Sequence, residues 1–138
     1  MDRAHAQYRV RDMVEAGINV VASSDYSACD STGNWNPLAG IETGVTRTNA
    51  EPAMQDEPKY ILNPNQAVTV IDVLRMYTAN AAKELFMEDK IGSLEAGKKA
   101  DMVILAQDIT KIEPKDISEV EIIATIVDGR EVYSGKKN

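Results

Sequence analysis

Residues 18–25, Ile-Asn-Val-Val-Ala-Ser-Ser-Asp, constrain this chain most, because a β-branched apolar run follows a helical pattern with almost no connection between them. Over residues 6–16, Tyr8, Val10, Met13 and Val14 recur at roughly helical spacing, and Gly17 stands where a helix C-cap is expected. A strand this apolar, fed directly by a helix, reads as a buried parallel strand of an α/β unit. Such a strand needs partners on both edges, and an unpaired edge invites association. The start at Met1-Asp2-Arg3 runs almost at once into the helical pattern with no strand before it, as expected of a truncated chain.

The next stretch, residues 26–68, is rich in Ser, Asn, Pro, Gly and Asp, with turn signals at Asn34-Trp35-Asn36-Pro37 and Asn63-Pro64-Asn65. Long connections of this kind are uncommon in compact domains and often functional. Within it, residues 38–46 predict a short helix with Pro37 near its first turn. Thr69 with Asp72 three residues later predicts an N-cap. Val70, Val73, Leu74, Tyr77, Ala81, Ala82 and Leu85 line one face of the helix that follows, which breaks near Thr78-Ala79-Asn80.

Beyond Asp89 the pattern becomes that of strands. Met102-Val103-Ile104-Leu105 is one, and Asp128-Gly129 between two β-rich runs is a hairpin signal, since both central positions of a tight turn need positive φ. The last fifty or so residues are expected to form antiparallel sheet. Gly92 and Gly97 supply turn freedom, and Asp101 satisfies local backbone donors before the apolar run.

Composition excludes several functions. Fifteen basic against 22 acidic residues, a formal charge of −7, argue against nucleic-acid binding, which needs clustered Lys and Arg. The longest apolar runs fall far short of the roughly 20 residues that span a bilayer, so no membrane partner is expected. One cysteine, Cys29, forms no intrachain disulfide, and a cytoplasmic setting is the default.

The segment Ile91-Gly92-Ser93-Leu94-Glu95-Ala96-Gly97-Lys98-Lys99-Ala100-Asp101-Met102-Val103-Ile104-Leu105 resembles that by which amidohydrolase-superfamily members leave their barrel and enter a small β-sandwich. Tyr77-Thr78-Ala79-Asn80-Ala81-Ala82 before it and Val127-Asp128-Gly129-Arg130 after it strengthen the likeness. With Ser23-Ser24-Asp25 and the stretch from Pro37-Leu38 to Val45-Thr46-Arg47, the chain resembles the branch that includes N-substituted formamide deformylases and exoenzyme-regulatory-type proteins. The likeness covers nearly all of this chain but only about the last third of a family member. It implies an α/β fold, the terminal segment of a (β/α)8 metal-dependent hydrolase barrel followed by strands of a composite β-sandwich, with residues 1–88 closing the barrel and 89–138 in the sandwich.

An acidic residue ending an apolar strand before a long polar loop stands where barrel enzymes place their chemistry. The resemblance implies that Asp25 matches the aspartate after the last barrel strand, which touches the metal and accepts a proton from metal-bound water. A carboxylate suits that task because a divalent cation brings the pKa of its water to about 7. From the residues alone, a loop cap is an equal reading of Asp25. Family members also bring a His-x-His pair and further histidines, whereas this chain has one histidine, His5, at a position matching no family ligand. A catalytic zinc needs about three protein ligands, so the fragment is expected to bind no metal and to be inactive alone.

Trp35 and Tyr26 either line a substrate pocket or pack the loop, and Arg47 either reaches a substrate carboxylate or pairs with one of the loop acids. Cys29 has no histidine placed to activate it and reads as a loop residue. The complete protein is thus expected to hydrolyse a non-peptide carbon–nitrogen bond in a small amide or cyclic amide, with a divalent metal, zinc by preference. The rival is a stand-alone interaction or regulatory domain derived from such an enzyme. In either case the chain by itself is expected to self-associate.

Overall fold

The computed structural model describes residues 7–24, 36–48 and 58–135. Among the described residues, four α-helices precede a three-stranded antiparallel sheet. Helix α1 spans Val10–Glu15 and starts later than the residue pattern predicts, because Tyr8 adopts a left-handed φ of 52° that a helix cannot include. Its first-turn amide at Asp12 is satisfied from outside, by Oε1 of Gln66 at 3.1 Å. Its end is a Schellman motif: Gly17 N–H bonds to Val14 O and Ile18 N–H to Met13 O, with Gly17 at φ 73°.

Residues 18–24, expected as a parallel strand, carry no ladder in this chain. A strand is defined by its ladder, and among the described residues this segment finds no β partner.

Helix α2, Pro37–Thr46, begins as its sequence predicts, with Pro37 at its start and Asn36 Oδ1 accepting the Leu38 amide at 3.0 Å. Helix α3, Val70–Tyr77, opens on a full capping box between Thr69 and Asp72. Gly40 and Gly44, one turn apart on α2, face it: a Cβ on Gly44 would lie 2.8 Å from Val73 Cγ2, and one on Gly40 would collide with the Tyr77 ring. The two glycines are what lets α2 approach α3 so closely.

The helical run breaks at Thr78 (φ −123°, ψ −93°) and resumes as α4, Ala79–Glu84. The break turns Leu85 out to solvent, away from the apolar face on which the residue pattern puts it, while Val73, Met76 and Ala82 are buried. Helix α4 ends in a second Schellman motif, Phe86 N–H to Lys83 O and Met87 N–H to Ala82 O. Its left-handed position holds Phe86 (φ 55°) in place of a glycine, with the side chain 91% exposed.

The sheet runs β1 (Met102–Leu105), β2 (Ile122–Val127) and β3 (Arg130–Ser134), in that spatial order and antiparallel throughout. The expected tight turn is present, with Asp128 at φ 52° and Gly129 at φ 75°. Asp101 satisfies a donor at long range rather than a local one, since its Oδ1 accepts the Asp128 amide at 2.7 Å. Between β1 and β2 the chain passes through a 3₁₀ turn, Pro114–Glu119, that packs on α2. A single buried cluster joins Leu38, Ile41, Val68, Val73 and Met76 to Ile109, Ile117 and Val120, so helices and sheet connection share one core.

Candidate functional site

Of the residues singled out from sequence, His5, Asp25, Tyr26, Cys29 and Trp35 lie outside the described residues, and Arg47 lies within them. The structure therefore describes the approach to Asp25 up to Ser24, together with what that approach rests on.

The approach is fastened to the helix break. Asn19 Nδ2 donates to Asn80 O at 3.2 Å, and Asn80 Nδ2 returns a bond to Val20 O at 2.8 Å. The Ala22 amide donates to Met76 O at 3.3 Å. In an unbroken helix Met76 O would face along the axis toward the amide four residues on. The break at Thr78 leaves it for the segment before Asp25, while Asn80 O accepts the Asn19 side chain from within α4. A bare apolar run thus gains three hydrogen bonds without a neighbouring strand.

The same break is gripped from its other side. A Cβ on Gly92 (φ 90°) would lie 2.5 Å from Ala82 Cβ and 3.1 Å from Thr78 O, so only glycine lets the turn after Ile91 seat here. The Tyr77-to-Ala82 and Ile91-to-Gly97 stretches, separate in sequence, form one joint that carries the segment before Asp25. The sequence signals Gly92 and the break, whereas Asn19 and Asn80, 61 residues apart, carry no signal of their pairing.

Arg47, at the left-handed C-cap of α2, donates from Nε to Leu62 O at 3.1 Å and from a terminal nitrogen to Tyr8 O at 3.3 Å. Asn63 Nδ2 donates to Gln7 O at 3.4 Å alongside it. These bonds hold the chain before α1 against the segment after α2. Burial pushes the guanidinium pKa down from its ordinary value, and the group stays a cation at neutral pH.

Glu42 is another residue that sequence reading passed over. Fully buried on α2, it accepts the Ser118 amide at 2.9 Å through Oε2. Asn36 Nδ2 donates to Ser118 O at 3.3 Å, so both polar groups of one peptide residue in the 3₁₀ turn are held from α2. The available signal was a lone acid in an otherwise uncharged helix, Pro-Leu-Ala-Gly-Ile-Glu-Thr-Gly-Val-Thr.

Among the described residues, no three His, Cys, Asp or Glu side chains group closely enough to hold a metal ion. The described part of the chain therefore does not fit a metal by itself. No described helix is long and apolar enough to cross a membrane.

The amidohydrolase family model matches residues 1–133, and the chain belongs to that family. An N-substituted formamide deformylase of Arthrobacter pascens is 34% identical over 88% of this chain and 20% of its own length. A 5-methylthioadenosine/S-adenosylhomocysteine deaminase of Thermoanaerobacter pseudethanolicus is 37% identical over 70% of this chain and 20% of its own. The solved amidohydrolase of Thermotoga maritima aligns over 96% of this chain and 35% of that one, at 27% identity and a TM-score of 0.43. The chain spans about a fifth of the length of these two curated relatives.

Proposed function

We propose that this chain is the closing part of an enzyme that hydrolyses a carbon–nitrogen bond other than a peptide bond, in a small amide or cyclic amide, with Asp25 as its proton-transfer residue. The observation that carries the reading is the family match over residues 1–133, which includes the Ser23-Ser24-Asp25 end of the tethered segment. Two relatives named for removing a formyl and an amino group support the bond type. In our reading the helices close a (β/α)8 barrel and the sheet belongs to a composite β-sandwich.

In the proposed reaction water attacks the carbon of the C–N bond, a carboxylate takes the proton it sheds, and the same proton passes to the departing nitrogen. Asp25 is the residue we assign to that transfer. The family implies a divalent metal, zinc in our reading, whose site needs about three protein ligands. One histidine in the whole sequence, with Asp25, does not reach that number, so we assign no hydrolase activity to the chain alone.

The experiment is Asp25→Asn in the complete reading frame, assayed on N-substituted formamides and on an amino-purine nucleoside. Activity falls by about 10²- to 10⁴-fold. Wild-type turnover in the variant refutes the assignment. The same low ligand number favours a second reading, a non-catalytic interaction domain derived from the family. The reading frame upstream of Met1 separates the two: an in-frame His-x-His after a strand pattern supports the enzyme, and a stop codon with a ribosome-binding site supports the interaction domain.

A further inference from the structure

We infer that Asn80 is a positioning residue for the reaction, acting with Asn19 as a two-way clamp that sets where the segment before Asp25 ends. The inference rests on the proposed role of Asp25 and adds to it a device that fastens residues 19–22 of the segment leading to it.

The clamp has a geometry that simple packing does not require. Asn80 sits in the first turn of α4, immediately past the break at Thr78. Its main-chain oxygen accepts from Asn19 Nδ2 and its side-chain Nδ2 donates to Val20 O, so one residue holds two consecutive positions of the extended segment. The Ala22 amide is held by Met76 O on the near side of the same break. Three points along residues 19–22 therefore bear on one rigid joint, whose far side is closed by Gly92 against Ala82 and Thr78. Three residues beyond the last point comes Asp25. Catalytic groups lose much of their effect when displaced by about 1 Å. A segment with no strand partner among the described residues gains its fixed placement from such a clamp.

Asn80→Asp keeps the side-chain shape and the main-chain acceptor but removes the donor to Val20 O. Hydrogen exchange on the chain as given is predicted to show the Ala22 amide exchanging about tenfold faster in this variant, relative to amides of β2. Asn19→Ala behaves alike, and the double variant is no worse than either single one, as expected of two groups serving one joint. An unchanged ratio of Ala22 to β2 exchange overturns the clamp, and a variant that merely loosens the whole chain gives that unchanged ratio.

In the complete reading frame, Asn80→Asp lowers kcat per folded molecule about tenfold and leaves KM within about twofold, because substrate contacts are untouched. Wild-type kcat per folded molecule overturns the positioning role even if exchange has changed. The assay is run beside Asp25→Asn. If that variant keeps full activity, the Asp25 assignment falls; if it is inactive while Asn80→Asp is fully active, only the positioning role falls.

Discussion

The carboxylate of Glu42, without solvent exposure, accepts the main-chain amide of Ser118, a residue 76 positions further along the chain. Asn36 takes the carbonyl of the same residue, so the 3₁₀ turn before β2 is held from α2 at both its donor and its acceptor. Removing the carboxylate leaves a buried N–H without its acceptor, at a cost of about 1–3 kcal/mol. Glu42→Ala is therefore expected to lower the urea midpoint clearly, and Glu42→Gln, which keeps an acceptor oxygen, to lower it less. Equal midpoints for the two variants would contradict this account.

Gly44→Ala decides between two opposed effects. In an open helix the change stabilises by about 0.5–1 kcal/mol. Here the added methyl lands 2.8 Å from Val73 Cγ2, on a side chain that is itself buried in the core. Overpacking of this kind costs about 1–3 kcal/mol, so the net effect is destabilising, measurable as a lower thermal midpoint.

Phe86→Gly runs the other way. A left-handed backbone costs a non-glycine residue about 1–2 kcal/mol, and a side chain 91% exposed gives little burial in return. The added freedom of glycine in the unfolded chain offsets about 0.4–1 kcal/mol of the gain. The variant is expected to melt higher, with the Schellman amides of Phe86 and Met87 better protected from exchange.

Two depressed carboxylates set an acid limb to stability. The Thr69 hydroxyl, then the Thr69 amide and Arg75, hold Asp72 below its ordinary value of 3.8. Its capping contribution is complete above that value and is lost as the pH falls through the depressed one. Lys111 and Thr110 hold Asp108 down at about 2, so its contribution fades between 3.8 and about 2. Carboxyl NMR titration should find the Asp108 midpoint near the lower figure and shift it upward in Lys111→Ala.

Self-association of the chain is a prediction that its sheet supports. Val103, Val127 and Tyr133 are exposed on the face opposite Ala124, and among the described residues β1 and β3 each have one edge without a partner strand. A formal charge of −7 opposes contact between copies, and salt screens it. Sedimentation is expected to show association that strengthens with salt; a monomer at every salt concentration would count against it.

What the sequence made legible was what depends on neighbours a few residues away. Asp128-Gly129 announced its turn, Thr69 and Asp72 their capping box, and Pro37 the start of α2, because each acts through backbone geometry within one turn. Residues 18–24 show no ladder because apolar β-branched character describes a side chain's preference, whereas a ladder requires a partner strand. The start of α1 failed for a smaller reason, the left-handed Tyr8. The Asn19–Asn80 and Glu42–Ser118 pairs bridge 61 and 76 residues, and no spacing rule reaches across such distances. Family likeness drew attention to Asp25, and what the structure adds is the fastening of residues 19–22 before it.

The break at Thr78 also acts as a ruler. Its near side is fixed in phase by the capping box at Thr69, and its far side by Gly92 seated on Ala82. One residue inserted or deleted between those marks turns everything beyond it by about 100°, carrying Asn80 off Val20 and Gly92 off its seat together. Length variation among related chains should therefore be sparse between residues 69 and 92 and freer at surface turns such as the one after Asp108.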